Sequence, residues 1–529
     1  MSRMDSFSLP VAIKHETRPI YPPVSAAIAM AASYYAYPFI ISFSSGLFFL
    51  IFLLFVLVLL DGFIRSVNSL PGTQSRLLRK SGILVTAAAV GFSLGIAARR
   101  SLPGSVEMGL EAEKVTAISG TLQEDPRFLQ SARNASSGSG MGVIELSWCA
   151  GRGGLRASAS GSVTVFFPSE SIDALKEFGR GCEIYADGAF SVKSQDSGRG
   201  ALFNAVSVHI AKPASAVEIF RTRLRAALLK RLVYNSRGSR GQAVKPPVWG
   251  GLASALLLGV RDDLDTELSQ GFRNSGCTHI LALSGMHLAI LSGILAFLIR
   301  KPLGIRWASL AGAVFVLFYV FVAGSQPSLV RAAIMYLIGT FAVWGLLKAR
   351  PLPLLCMAFI IQLLFQSETG VSLSFILSYL ALLGILTLGE TVRDLFRGRL
   401  PEFFGAGLSA SIGAFVLTAP VVAFYFASVR PIGILAGLVA APVASVFMVL
   451  SLAALVAGFL PFPIWNIFSF ALTWIYRFLE SLINITGRVP GFSASNPVIV
   501  LVFSLLFCLL IYILHALDRR YRNSIASFN

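Results

Sequence analysis

The stretch Phe272–His287, FRNSGCTHILALSGMH, decides how this chain reads. It leads into an apolar run, Leu288–Ile299, yet it carries Arg273, His279, Ser284, Gly285 and His287. Hydrocarbon offers such groups no partners, so a polar cluster at the mouth of a membrane helix lines a protein cavity, a watery path or a helix–helix contact. The sequence holds 5 histidines in 529 residues, and two of them lie here. At roughly 100° per residue, His279, Ser284 and His287 are expected within about 140° on one helix face.

Working outward, hydrophobic residues make up 55% of the chain and charged residues 13%, with a mean hydropathy of +0.73. A soluble protein carries about 25% charge, so the composition describes a polytopic α-helical membrane protein. Apolar runs near the bilayer-spanning length predict about 12 spans: 23–40, 43–60, 82–98, 278–299, 307–324, 328–347, 352–366, 371–389, 405–427, 432–459, 462–485 and 497–517. The run 247–260 is too short to span and reads as re-entrant or interfacial.

Basic loops set the orientation. Arg65, Arg76, Arg79 and Lys80 fall in one loop; Arg300, Lys301 and Arg306, then Lys348 and Arg350, then Arg393, Arg397 and Arg399, and finally Arg519, Arg520 and Arg522 fall in others. With the N-terminus inside, three spans place residues 99–277 outside, and the remaining spans return each later cluster and the C-terminus to the cytoplasm. The first residues lack the apolar core of a cleavable signal peptide. Cys277, Cys356 and Cys508 read as small hydrophobes. Cys149 and Cys182 share the exterior segment, where a disulfide can form.

Residues 113–212 differ in kind. VTAISGTL, GVIELSWCA, LRASASGSVTVFFP, EIYADGAFSV and FNAVSVHI are short β-rich segments separated by Gly- and Ser-rich turns such as Asn134–Gly142 and Ser194–Gly200. They predict an inserted small β-barrel or sandwich, an OB-like barrel being one candidate. Glu218–Lys245 then collects Arg221, Arg223, Arg225, Lys230, Arg231, Arg237, Arg240 and Lys245 against Glu218 alone. Apolar positions at Ile219, Leu224, Leu228 and Leu232 make this an amphipathic helix. It is expected to lie on an anionic membrane surface or to form a collar for a polyanion; the net charge of +18 fits either use.

Four segments in order carry a resemblance. Ala255–Gly259 (ALLLG) with Arg261, Phe272-Arg273 and Gly276–His287 resembles the signature that opens the membrane domain of the ComEC family, the inner-membrane channels of bacterial natural transformation. Gly324–Ala332 (GSQPSLVRA) is similar to its second motif, Ser374–Tyr379 (SFILSY) to its third, and Pro431–Gly433 through Pro442 to its fourth. Two positions depart from the pattern: Ile376 stands where the third motif usually has Gln, and Gly437 where the fourth often has Asn.

The resemblance implies 1–98 as N-terminal membrane helices, 99–212 as an exterior OB-like domain, 213–246 as a basic linker, 247–517 as the channel domain and 518–529 as a cytoplasmic tail. It implies passage of single-stranded DNA across the bacterial cytoplasmic membrane. Arg273, His279, Ser284, Gly285, His287, Arg331, Ser374 and Ser378 would line the path, and Arg221, Arg223, Arg225, Lys230 and Arg231 would receive the strand. Implied partners are a periplasmic DNA receptor and a cytoplasmic helicase or single-strand-binding protein. Many relatives continue into a metallo-β-lactamase-like domain; this sequence shows no clustered His/Asp zinc motif, so no nuclease activity is expected of this polypeptide, and a separate nuclease can be a partner. No catalytic residue, metal or cofactor is expected.

Other chemistry fits less well. Ser284-Gly285 with His287 lacks the geometry of an intramembrane serine protease, since a base three residues on along one helix is badly placed to activate the Ser. Arg261, Asp262, Asp263 and Asp265 read as a solvated ion-pair cluster. No phosphate-binding Gly-rich loop with Lys is present. The rival from another class is a secondary transporter of a small or lipid-like substrate, which also uses broken helices but has no need of a β domain. A non-transporting scaffold would leave Arg331 without a physical reason.

Overall fold

The structure, a computed structural model, describes residues 19–20, 27–28, 30–35, 106–129, 139–151, 155–171, 175, 179–191, 202–234, 247–457, 462–494 and 496–528. The expected spans 43–60 and 82–98, the loop 61–81, the turn 194–200, and Arg237, Arg240 and Lys245 lie outside those residues.

The β-rich segment folds as a barrel. Its strands are β1 (Val115–Leu122), β2 (Ser139–Gly151), β3 (Arg156–Ser160), β4 (Ser162–Phe167), β5 (Glu183–Phe190) and β6 (Leu202–Lys212). Antiparallel pairs join β1 to β2, β2 to β4, β6 to β5 and β5 to β1, and a parallel pair of β4 with β6 closes the ring. Five strands closed through one parallel pair form an OB-fold. β3 also pairs with β2, and Gly161, at φ 106°, breaks the chain between β3 and β4. Alternation works as period two requires: Val163, Val165 and Phe167 point inward on β4, meeting Ile118, Leu122, Ile144, Ile184 and Phe203. Cys149 and Cys182 are both fully buried in this core as free thiols. The disulfide that these two could form is not made in the structure, and each serves as a small hydrophobe.

The helices follow: α1 (Ala216–Tyr234), α2 (Gly250–Leu258), α3 (Thr266–Asn274), α4 (Thr278–Leu281), α5 (Gly285–Ala323), α6 (Pro327–Trp344), α7 (Pro351–Phe365), α8 (Leu373–Gly384), α9 (Glu402–Phe426), α10 (Ile432–Ala457), α11 (Phe462–Gly487) and α12 (Pro497–Phe528). A π-helical turn, Ile385–Gly389, continues α8 into a further helix, Glu390–Phe396. Among the described residues, 6 helices are long and apolar enough to cross a membrane, against the expected figure of about 12 for the whole chain. The difference has physical reasons beyond the undescribed segments. At 1.5 Å per residue the 39 residues of α5 would run roughly 58 Å, about twice a bilayer's hydrocarbon. Gly304, with φ 81° and ψ 173°, breaks it next to Pro302, among Arg300, Lys301 and Arg306, so it accounts for the two expected spans 278–299 and 307–324. α7 is shorter than 18 residues, and α11 carries Arg477 and Glu480. The short run at 247–260 becomes α2, all of whose residues are buried inside protein.

Two packed cores hold the helices. One gathers residues of α1 to α6 with α10 and α11; the other joins residues 27–35 with α7, α8, α9 and α12. Large apolar side chains such as Phe297, Leu317, Phe478 and Phe503 remain exposed on the outside, where a lipid-facing surface puts them. Loop contacts define two ends. At one, Pro19–Ile20 pairs with Lys348–Ala349, and Arg399 meets Asp518 at 2.9 Å. At the other, Arg180 reaches Ser325, Ser428–Val429 pairs with Phe492–Ser493, and Arg430 donates to the Asn274 carbonyl at 2.7 Å. α6, α9 and α12 each connect one end to the other.

Candidate functional site

Built from the backbone upward, the site begins where the chain breaks before α5. Thr278–Leu281 makes only a short helix, Ala282 is extended, and Ser284 is extended at φ −119° and ψ 163° as the N-cap of α5. Ser followed by Gly is an N-terminal signal, and here it overrides the continuous helix expected over this stretch. His279, Ser284 and His287 consequently do not share one helix face: His279 belongs to α4, Ser284 is the cap, and His287 is the third residue of α5. His287 Nδ1 accepts the Ser284 N–H at 3.4 Å, which satisfies a donor the helix start leaves over.

A break inside a membrane protein frees carbonyls that must find donors. Arg261 donates to the Leu281 carbonyl at 3.0 Å and the Ser328 hydroxyl to the Leu283 carbonyl at 2.7 Å. Arg261, expected in a solvated ion-pair cluster, is exposed and also supports the break. Asp265 caps α3, accepting the Glu267 N–H at 2.9 Å.

Arg331, on the second turn of α6, is 8% exposed. Its Nη1 donates to the Ser378 carbonyl, and its Cζ lies 5.8 Å from the centroid of the Tyr379 ring. Ser378 thus contributes its carbonyl rather than its hydroxyl, and Ser374 lies on an exposed face of α8. The Tyr379 hydroxyl donates to Gln362 Oε1 at 2.9 Å, and Gln362 Nε2 donates to the Pro327 carbonyl at 3.1 Å. Gln362 was missed in the sequence, although a Gln within the apolar α7 is the kind of intramembrane polar residue that marks a built network. Two buried nitrogens here, Arg331 Nε and His287 Nε2, have no hydrogen-bond partner among the described residues.

Glycines bring the first motif segment against the second and the fourth, while Arg331 ties in the third. A Cβ on Gly285 would lie 3.0 Å from Ala332 Cβ and 3.1 Å from Arg331 Nη2, and one on Gly259 would lie 2.7 Å from Leu283 Cδ1 and 3.1 Å from Gln326 Nε2. Gly276 and Gly433 meet similarly: a Cβ on Gly433 would sit 3.1 Å from the Gly276 carbonyl. His279 packs towards Gly437, where a Cβ would lie 4.0 Å from its Cε1. Ile376, the other departure from the family pattern, packs with the α7–α9 core. Arg273 is exposed at the end of α3.

The basic linker helix takes a different place from the one its charge suggests. Arg221, 4% exposed, pairs with Asp125 and Glu218, each at 2.6 Å, and Arg225 pairs with Asp125 and donates to the Leu258 carbonyl at 3.2 Å. Asp125 lies in the loop after β1 and also accepts the Arg180 N–H at 3.2 Å. Burial pushes the Asp125 carboxyl up, but Arg221 and Arg225 outweigh it and hold it below the usual carboxylate range. On the apolar side, Ile219 packs on the barrel core, while Leu224, Leu228 and Leu232 pack on the core of the helical body. α1 is thus a strut between two bodies, and Arg221 and Arg225 are spent in it. Arg223 and Lys230 are exposed on α1 and Arg231 is partly buried.

Comparison with known proteins finds matches over this part of the chain. The Competence protein family model matches residues 256–519. ComE operon protein 3 of Bacillus subtilis (strain 168) is 28% identical over 295 residues, covering 52% of this chain and 35% of that protein. An uncharacterized protein of Aquifex aeolicus (strain VF5) is 28% identical over 231 residues, 43% of this chain and 52% of its own. Competence protein ComA of Neisseria gonorrhoeae is 27% identical over 262 residues, 47% of this chain and 36% of that protein. The chain therefore spans between about a third and a half of the length of these curated relatives.

Proposed function

This chain belongs to the ComEC family of competence proteins, and on that premise we propose that it serves DNA uptake as a channel for single-stranded DNA across the bacterial cytoplasmic membrane. The observation that carries the reading is the meeting of three separate segments, the start of α5, α6 itself and Ser378–Tyr379 of α8, at Arg331. That residue is a buried guanidinium with an unpartnered Nε, set against the glycine start of α5. A buried cation is costly unless it meets an anion or carbonyls, and the helix N-terminus beside it likewise favours an anion. A strand carries a phosphate every few ångströms, so its path needs such groups.

The direction of transport is inward, with the barrel outside. What supports this is the agreement between the basic loops and the two ends of the molecule: Lys348, Arg350 and Arg399 lie at the end opposite Arg180 and Ser325. The termini at the Lys348 end are then cytoplasmic. The segment acts as a channel rather than an enzyme, drawing on a periplasmic DNA receptor and a cytoplasmic helicase or single-strand-binding protein.

The direct test reconstitutes the protein in liposomes and offers a fluorescent single-stranded oligonucleotide outside, with nuclease protection as the readout. Protected single strands, no protected duplex, and loss of protection in Arg331→Ala are expected. Passage of small anions without oligonucleotide would overturn the channel reading and favour a small-solute carrier, which shares the broken helix before α5.

A further inference from the structure

With Arg221 and Arg225 engaged in the strut, the barrel must meet DNA elsewhere if it meets it at all. The outer face of β1, β2 and β5 presents a second kind of surface. Ser119 is the direct cross-strand partner of both Trp148 on β2 and Tyr185 on β5. Its register shift with Gly120 leaves Ser147 as an extra residue in β2, a bulge of the sort that re-aims a neighbouring side chain. Ser119 is only 2% exposed, as expected beneath two flanking rings. The Trp148 and Tyr185 centroids lie 5.8 Å apart at an interplanar angle of 38°, and Arg156 on β3 holds its Cζ 4.5 Å from the Trp148 ring centroid.

The row is held in place. The Tyr185 hydroxyl donates to Asp187 Oδ1 at 2.6 Å, and the Ser207 hydroxyl donates to Oδ2 at 2.9 Å, so the phenol ring is fixed from below. Arg156 is exposed and makes no ion pair among the described residues. His209, the cross-strand partner of Tyr185, extends the same face. Cross-strand aromatic pairs stabilise sheets and Arg156 over the indole adds a cation–π contact, but neither role uses the guanidinium's exposed N–H donors.

We propose that Trp148 and Tyr185, with Arg156, form a stacking site for the unpaired bases of single-stranded DNA. Bases lie on the two rings, and Arg156 neutralises an adjoining phosphate. Stacking needs bases free of a duplex, so the site selects single strands by their exposed π-faces rather than by charge. The proposal rests on the channel reading for its ligand and deepens it by naming where the strand is first held.

The experiment uses the full chain in nanodiscs, with fluorescence anisotropy of labelled oligothymidylate and of a duplex control. Wild type should bind the single strand well above the duplex. Trp148→Ala and Tyr185→Ala should each weaken single-strand binding roughly tenfold or more, while Trp148→Phe keeps most of it because a ring remains. Arg156→Gln should lower the log–log salt slope by about 0.7, the loss of one phosphate contact on a single strand. Arg221→Gln should leave the slope unchanged. Thermal unfolding separates lost binding from lost folding, since Trp148→Phe and Arg156→Gln should unfold as wild type does. Unchanged single-strand affinity in both alanine variants, or an affinity for duplex equal to that for single strands, overturns the stacking site. If the liposomes pass single strands despite that result, the channel stands without it; if the alanine variants lose binding but no strand is protected, the stacking site stands and the channel falls.

Discussion

Gly285 and Arg331 are held against one another, a Cβ on the glycine falling 3.1 Å from the guanidinium Nη2. The first residue of one membrane helix thereby fixes where the cation of the next helix rests.

That contact leaves room for little. Gly285→Ala should be tolerated with a small loss, because Arg331 need give way by only a few tenths of an ångström. Gly285→Val should overpack the joint at a cost of about 1–3 kcal/mol and sharply reduce strand protection in liposomes. Equal activity in the two variants would show that the spacing between α5 and α6 does not matter.

Arg331 itself is expected to act through charge. Arg331→Ala should lower strand passage by roughly 10- to 100-fold, as loss of a charge-assisted contact of about 1.5–3 kcal/mol implies, without lowering single-strand binding at the barrel. Arg331→Lys should retain part of the activity, since an ammonium still attracts phosphate but lacks the planar fork. Measuring passage and binding side by side separates these outcomes.

Gln362 makes a stability prediction. Gln362→Leu leaves the buried Tyr379 hydroxyl without its acceptor and removes a second donor from the Pro327 carbonyl, and should cost about 1–3 kcal/mol, read as a lower unfolding temperature in detergent. Tyr379→Phe in the same background should restore part of the loss by removing the orphaned hydroxyl. No change in unfolding temperature for Gln362→Leu would mean that water enters this network freely.

The strut predicts a pH dependence. Asp125 is held below the ordinary carboxylate range, so its contribution is fully present above the unfolded value near 4 and disappears as pH falls through the lower folded value. Hydrogen exchange along Ala216–Tyr234 should therefore be unchanged from neutral pH down to about 5 and rise only in stronger acid. Asp125→Asn should show the fast exchange already at neutral pH, because Arg221 and Arg225 lose their shared carboxylate. Exchange that stays slow in that variant would show that apolar packing alone holds α1.

The orientation can be read with reporter fusions. A fusion at Ser160 should report the exterior, and fusions after Lys301 and Arg520 the cytoplasm. A cytoplasmic reporter at Ser160 would reverse the direction of transport.

Much of this architecture was legible in the sequence because two periodicities are strong. The alternation in SVTVFF became β4, and the apolar runs from 328 to 517 became α6 to α12 with ends shifted by a few residues. What failed to read were the places where distant partners decide. Arg221 and Arg225 look like a basic surface until Asp125, about a hundred residues earlier, folds beneath them. His279, Ser284 and His287 share a helix face by arithmetic, but Ser-Gly chemistry breaks that helix. Gln362 drew no attention because an isolated amide in an apolar run gains meaning only from the Tyr379 and Pro327 it touches. Trp148 and Tyr185 are 37 positions apart in sequence, and only pairing through Ser119 makes them neighbours.

The strut also determines where this molecule can be divided. A fragment ending at Lys212 retains Asp125 but loses both guanidiniums that answer it, and one starting at Gly250 retains the Leu258 carbonyl but loses its Arg225 donor. The natural seam therefore falls after Tyr234 rather than at the last strand of the barrel. Any exchange of barrels between such proteins would have to carry α1 along as part of the inherited unit, and would succeed only where the recipient offers a hydrophobic seat for Leu224, Leu228 and Leu232.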